Sequence, residues 1–326
     1  MEGIMSLREA AEALRVSPTR VRQLIESGQV EAEKIGSSWV VRRATVAEFS
    51  PLPHGRPRRR PAGETGGAMT GIIAVLGRKG GSGKTSSAYN LAGTFAAAGR
   101  RCLLVDLDSQ ASLTRLLVDA PVAADGSIGA RLTNMAPGVG DLIVPVAARI
   151  DLLPGDRTVE NAGIALANNP TGPMRLGKLL APLRAAYDVI IIDTAPALGF
   201  TQQAGLMAAD LAVVPTRTET TVDIQTLPDV FADYEELREY NQRVARSLTV
   251  LPTMHQEGAF AHRSGLAALI AAYGDRVAAP VPFSLLVGRS LNDRRTLAEA
   301  FPRAAAAEAY RALAARLAAE MTGDGA

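Results

Sequence analysis

Two lysines frame a run of small residues at Lys79-Gly80-Gly81-Ser82-Gly83-Lys84-Thr85, a combination suited to holding a polyphosphate. Gly80, Gly81 and Gly83 let the backbone curl until its N–H groups converge on an anion. The apolar run Ile72-Ile73-Ala74-Val75-Leu76 ahead of the loop predicts a buried strand. Thr85 to Ala92 predicts a helix whose positive N-terminus faces the same anion. In a strand, loop and helix of this kind the Lys84 ammonium reaches the β and γ phosphates, and the Thr85 hydroxyl holds Mg²⁺. The expected nucleotide contacts are therefore Gly80, Gly81, Ser82, Gly83, Lys84, Thr85 and Ser86. The usual spacing, G-x-x-x-x-G-K-[ST], needs a glycine at position 78, where Arg78 stands instead, one place after Gly77. The compact form K-G-G-x-G-K-T is met throughout.

Carboxylates are the second ingredient. Leu103-Leu104-Val105-Asp106-Leu107-Asp108-Ser109-Gln110 reads as a strand with two acids at its C-terminal end, the end at which open α/β sheets bind ligands. Val189-Ile190-Ile191-Ile192-Asp193-Thr194-Ala195-Pro196 repeats the pattern with one acid. A strand-terminal Asp also serves as a turn or cap residue. Beside a phosphate loop, Asp193 suits a Mg²⁺ held largely through water.

Elements able to position these groups follow from the hydrophobic pattern. Strands are predicted at 72–77, 101–106, 150–153, 188–193, 210–215 and 247–252, and helices at 84–98, 174–186, 201–208, 223–240, 261–273 and 303–321. Residues 119–149, rich in Pro, Gly and Ala, take no clear assignment. The alternation implies an α/β domain over 70–326: a mostly parallel, doubly wound sheet with helices on both faces. Ahead of it, residues 50–69 are a Pro-, Arg- and Gly-rich linker, whose Arg56 and Arg58 to Arg60 either are merely solvated or contact phosphates.

Residues 1–49 form a separate small module. Ser6-Leu7-Arg8-Glu9 is a capping box that opens one helix. Ser17-Pro18 opens a second, which Gly28 closes. Val30 to Ile35 and Trp39 to Val41 then read as a β-hairpin wing. The stretch is similar to the excisionase/MerR type of winged helix-turn-helix. That reading puts Thr19, Arg20, Arg22 and Gln23 at base edges in the major groove and Arg42 and Arg43 on phosphates. A protein-binding helical module with solvated arginines is the other reading.

Bulk composition narrows the classes. The apolar fraction is 47% and the charged fraction 21%, as in a soluble globular protein. Net charge is +2, too small by itself to argue for nucleic-acid binding. Cys102 is the sole cysteine, so no internal disulfide or cysteine cluster forms. No run approaches the roughly 18 apolar residues of a membrane span, and no signal-peptide core is present, which implies a cytoplasmic protein.

Residues 70–321 resemble the ParA/MinD group of deviant Walker-type ATPases, and within it ParA partition proteins. The residues that carry the resemblance are Lys79 and Lys84 in K-G-G-S-G-K-T, the segment D-L-D-S-Q and the segment I-I-I-D-T-A-P. The chain departs from the family pattern at Ser82, Ser86 and Ser109, none of which removes a phosphate ligand, and has Ala204 where the family often has asparagine, so no role is carried over there. The resemblance implies an ATP-bound sandwich homodimer in which Lys79, Lys84 and Asp108 are catalytic. Lys79 crosses to the partner's nucleotide, Asp108 orients the attacking water, and Thr85 and Asp193 serve Mg²⁺. By position, Thr253 and Pro282 resemble the segments that contact the base. It further implies nucleoid-associated, non-specific DNA binding through basic residues of the C-terminal half (Arg217, Arg243, Arg246, Arg263, Arg289, Arg294 and Arg295) and release by a ParB-like partner, with operator binding by the N-terminal module. A regulator that uses ATP only as a signal is the alternative, and a MinD-like positioning protein a third. Nitrogenase iron protein shares the loop but needs cluster cysteines. MinD relatives end in a membrane helix, which Ala304 to Met321, carrying Arg311 and Arg316, does not resemble.

Overall fold

The computed structural model describes residues 4–14, 21–22, 25, 30–35, 38–48, 70–119, 122, 126–134, 138–196, 199–219, 224–241 and 244–323.

The N-terminal module contains a three-stranded antiparallel sheet in the order β1-β3-β2, from β1 (Ile4–Ser6), β2 (Ala32–Ile35) and β3 (Ser38–Arg42). Helix α1 (Leu7–Leu14) begins at the expected capping box. The Ser6 N–H donates to Glu9 Oε2 at 2.7 Å, and the Glu9 N–H donates to Ser6 Oγ at 3.2 Å. Helix α2 (Arg43–Glu48) follows the hairpin. Met5, Ala10, Ala11, Val21, Val30, Val41 and Val46 close the small core. The wing is present as expected, whereas β1 and α2 are additions. A strand of three residues is too short to show alternation in sequence. Most of the second helix lies outside the described residues.

In the larger unit, residue alternation builds one sheet with two buried faces. Its strands are β4 (Gly71–Val75), β5 (Cys102–Leu107), β6 (Val144–Ala147), β7 (Ile150–Leu153), β8 (Val189–Thr194), β9 (Leu211–Arg217) and β10 (Ser247–Thr253). Their order is β10-β9-β4-β8-β5-β7-β6, parallel except at the β6 edge. Ile72 and Ala74 enter one core and Ile73 and Val75 the other, as period-2 geometry requires. Helices α3 (Lys84–Ala97), α4 (Ser112–Leu117), α5 (Ile128–Asn134), α6 (Thr158–Leu166), α7 (Met174–Leu180) and α8 (Phe200–Ala208) cover the sheet. They are followed by α9 (Leu227–Tyr240), α10 (Phe260–Tyr273), α11 (Leu285–Asn292), α12 (Leu297–Ala300) and α13 (Ala305–Thr322). The doubly wound, mostly parallel architecture is the expected one.

Several elements differ from expectation. The helix predicted over 174–186 stops at Leu180 and continues as a tighter turn, Ala181–Ala185, because Pro182 has no N–H to donate. The last helix starts at Ala305, after Pro302. The antiparallel strand β6, with Pro145 in its middle, is tolerated because it lies at the edge. Helices α4, α5, α6, α11 and α12 were not anticipated. Among the described residues, no helix is long and apolar enough to cross a membrane.

The consequence for chemistry is convergence. Asp193 is in register with Val75 on one side and with Asp106 on the other, so both acids and the loop after β4 share one end of the sheet.

Candidate nucleotide site

The loop between β4 and α3 is held open by its glycines and closed over its own lysine. Gly83 precedes α3 with φ of 91°, a left-handed conformation that suits a residue without Cβ. The Lys84 side chain is buried and folds back, its Nζ donating to the Lys79 carbonyl at 2.8 Å. Burial lowers the Lys84 pKa, and the Asp193 and Asp108 carboxylates oppose that. Ser82, also buried, donates from Oγ to the same Lys79 carbonyl at 3.4 Å. Lys79 is half-buried, Gly80 and Gly81 are exposed, and Thr85 and Ser86 are half-buried at the first turn of α3.

Asp193 stands out among the described residues. Fully buried, neither of its carboxylate oxygens has a well-formed hydrogen bond. Burial first, and the neighbouring Asp106 second, push its pKa up to about 8, an effect the Thr85 hydroxyl and Lys84 ammonium only partly offset. A buried acid that its neighbours compensate only in part, beside a hydroxyl, is a hard oxygen donor set, which fits a Mg²⁺ ion.

The two acids of D-L-D-S-Q have separate tasks. Asp106 Oδ2 accepts from the Thr114 N–H and from Thr114 Oγ1, each at 2.7 Å, while Oδ1 accepts from the Asp108 N–H at 3.2 Å. Thr114 Oγ1 in turn accepts from the Gly155 N–H at 2.9 Å. Burial pushes Asp106 up to about 6, so its hydrogen bonds offset only part of the desolvation. Asp106 thus shapes the turn that presents Asp108. Asp108 Oδ1 accepts from the Gln110 N–H at 2.8 Å, and Ala111 closes the turn at a left-handed φ of 50°, strained for a residue with Cβ.

Residues that sequence reasoning did not select complete the frame. Gln202 of α8, buried, donates from Nε2 to the carbonyls of Gly77 at 3.1 Å and Ala195 at 3.3 Å, tying the loop to the segment after β8. Nothing in its local sequence marks it. Thr253, a proposed base contact, is buried and donates from Oγ1 to the Ser82 carbonyl at 2.9 Å, so its hydroxyl supports the loop. Pro282 is half-buried and pairs with His255, placing it beside the end of β10. Arg78, standing where ordinary loops have glycine, reaches out to Asp229 at 2.5 Å and Asp233 at 2.9 Å on α9.

The candidate DNA contacts divide sharply. Thr19, Arg20, Gln23 and Arg243 lie outside the described residues. Arg22 and Arg43 are exposed, whereas Arg42 faces Glu31 at 3.8 Å and Glu33 at 3.2 Å across the wing. In the larger unit Arg217, Arg289, Arg294 and Arg295 pair with Glu219, Asp293, Asp119 and Glu299 respectively. Arg263 donates to the carbonyls of Glu257 and Gly258. Arg246 is exposed and forms no ion pair among the described residues.

Fold and site together define a P-loop nucleotide-binding protein of the mostly parallel, doubly wound type. Residues 70–246 match the AAA domain family of ParA/MinD type, and residues 4–49 match a helix-turn-helix domain. The chain belongs to that ATPase family. It is 32% identical to the chromosome-partitioning ATPase Soj of Thermus thermophilus, over 74% of this chain and 93% of the relative. It is 38% identical to the chromosome partitioning protein ParA of Myxococcus xanthus, over 48% of this chain and 56% of that one. Among solved structures, cobyrinic acid a,c-diamide synthase from Mycobacterium smegmatis, with bound ATP analogue and magnesium, superposes with a TM-score of 0.65 at 27% identity. That match covers 78% of this chain and 97% of the synthase.

Proposed function

We propose that this protein is an ATP-driven partition switch. ATP seated on residues 80–86 joins two copies. Lys79 of each copy approaches the other's γ phosphate, and Lys84 holds the β and γ phosphates. Asp108, aimed by the Asp106–Thr114 network, orients the attacking water. Mg²⁺, when bound, neutralises charge building on the phosphates. Thr85 and Asp193 would hold it, the latter through a carboxylate that is otherwise unsatisfied. Thr253 and Pro282 stand by the base. The observation that carries the reading is the Lys84 ammonium resting on the backbone oxygen of Lys79, near a buried acid with no well-formed hydrogen bond.

Residues 1–49, 50–69 and 70–326 act as operator-binding module, linker and motor. The ATP dimer binds DNA without sequence preference, for which Arg246 is the candidate with its charge uncommitted among the described residues, and a ParB-like protein triggers release. Lys79→Ala is the test. It should still bind ATP but lose ATP-dependent dimerisation and hydrolysis, and a variant that keeps both sinks the switch.

A second reading is favoured by the helix-turn-helix match at 4–49: a regulator that senses ATP without partitioning DNA. Removing residues 1–68 separates the two. A partition ATPase keeps ATP-dependent retention on random-sequence DNA, while a pure regulator loses all DNA binding.

A further inference from the structure

The Arg78 side chain leaves the loop. Its guanidinium spans to Asp229 and Asp233, four residues apart and so on one face of α9, with its two terminal nitrogens gripping one carboxylate each. These residues lie 151 and 155 positions away in the chain. The arginine side chain is only 18% exposed, and its Nε is buried with no hydrogen-bond partner. The next peptide is that of Lys79, whose carbonyl takes Lys84 Nζ and Ser82 Oγ. The front edge of the loop is therefore tethered outward by Arg78 and inward by Lys84.

We infer that Arg78 is a positioning residue that clamps the loop to α9, fixing the direction in which Lys79 leaves the backbone. When phosphates draw Lys84 away from the Lys79 carbonyl, the outward tether still holds the start of that peptide. The inference rests on the nucleotide reading above and on α9 as the anchor.

The test uses the full chain as Arg78→Ala, Arg78→Lys and the pair Asp229→Asn/Asp233→Asn, each first checked for an unchanged melting profile. Amide hydrogen exchange is read over residues 77–83 without nucleotide, then affinity for MgATPγS and steady-state turnover of MgATP. In Arg78→Ala and in the aspartate pair, loop exchange should quicken by about tenfold and kcat fall by about tenfold, with affinity changed by less than about threefold. Arg78→Lys keeps the charge without the fork and should fall between. Combining Arg78→Ala with the aspartate pair should add nothing, since both remove one linkage. Unchanged exchange, additive losses, or a loss of affinity equal to the loss of turnover overturns the clamp. If the wild-type chain turns over no ATP, the nucleotide reading fails, and the exchange comparison alone still decides whether the clamp exists.

Discussion

Replacing Lys84 by Met tests the site where its physics is sharpest, because binding should fall while stability holds. Met keeps the length and apolar bulk of the side chain and removes its charge. A hydrogen bond to a charged group contributes about 1.5–3 kcal/mol, so contacts to two phosphates contribute about 3–6 kcal/mol. The ammonium first gives up its 2.8 Å bond to the Lys79 carbonyl, which returns about 1.5 kcal/mol. The net loss is about 1.5–4.5 kcal/mol, or about 10- to 2,000-fold in Kd for MgATP. The folded protein meanwhile sheds a buried ammonium, so its stability should stay within about 1 kcal/mol of wild type. Titration calorimetry with MgATPγS and urea denaturation on the same preparations give both numbers. Affinity within about threefold of wild type refutes Lys84 as the phosphate ligand. So does a loss of affinity that merely tracks a loss of stability.

Asp193 yields a pH prediction. Its pKa is raised from 3.8 to about 8, so the stability it contributes is fully present below pH 3.8 and lost as pH rises through about 8. Asp193→Asn should therefore gain on wild type in melting temperature between pH 5 and pH 9 without metal, while losing the rise in melting temperature that MgATP gives wild type; parallel pH profiles for the two would refute this. Gly155→Ala places a Cβ 2.3 Å from the Asp106 carbonyl oxygen, so unfolding free energy should drop by about 1–3 kcal/mol and turnover fall with the displaced Asp108 turn. A change below about 0.5 kcal/mol in denaturation would count against that packing. Cys102 is fully buried and its thiol is pushed well above the usual range by burial, so iodoacetamide at pH 8 should label it only after unfolding, as mass spectrometry would show.

What the sequence made legible is what local pattern encodes. The strand Ile72 to Leu76, the glycines after it and the helix from Lys84 announce themselves, and with them the sheet and the placing of Asp108 and Asp193. Helix α6, Thr158–Leu166, stayed hidden because its Ala and Gly positions blur the apolar stripe that marks a helix. Asp106 and Asp108 look alike in sequence. Only the contacts of Asp106 to Thr114, itself bonded to Gly155, show that one builds the turn on which the other sits. Arg78 read simply as a departure from the glycine pattern. Its purpose depends on two aspartates of α9, which no window around the loop contains. The candidate arginines had the same fate in reverse, since charge is visible in sequence while the carboxylates that neutralise it are not.

The bond from Thr253 to the Ser82 carbonyl has a consequence for how the protein is made. Its two ends are separated by 171 residues, and the later one lies beyond the stretch that matches the family. A chain emerging from the ribosome has its phosphate loop early, yet the strand that steadies it is among the last to arrive. The loop therefore lacks that support until β10 has taken its place at the sheet edge.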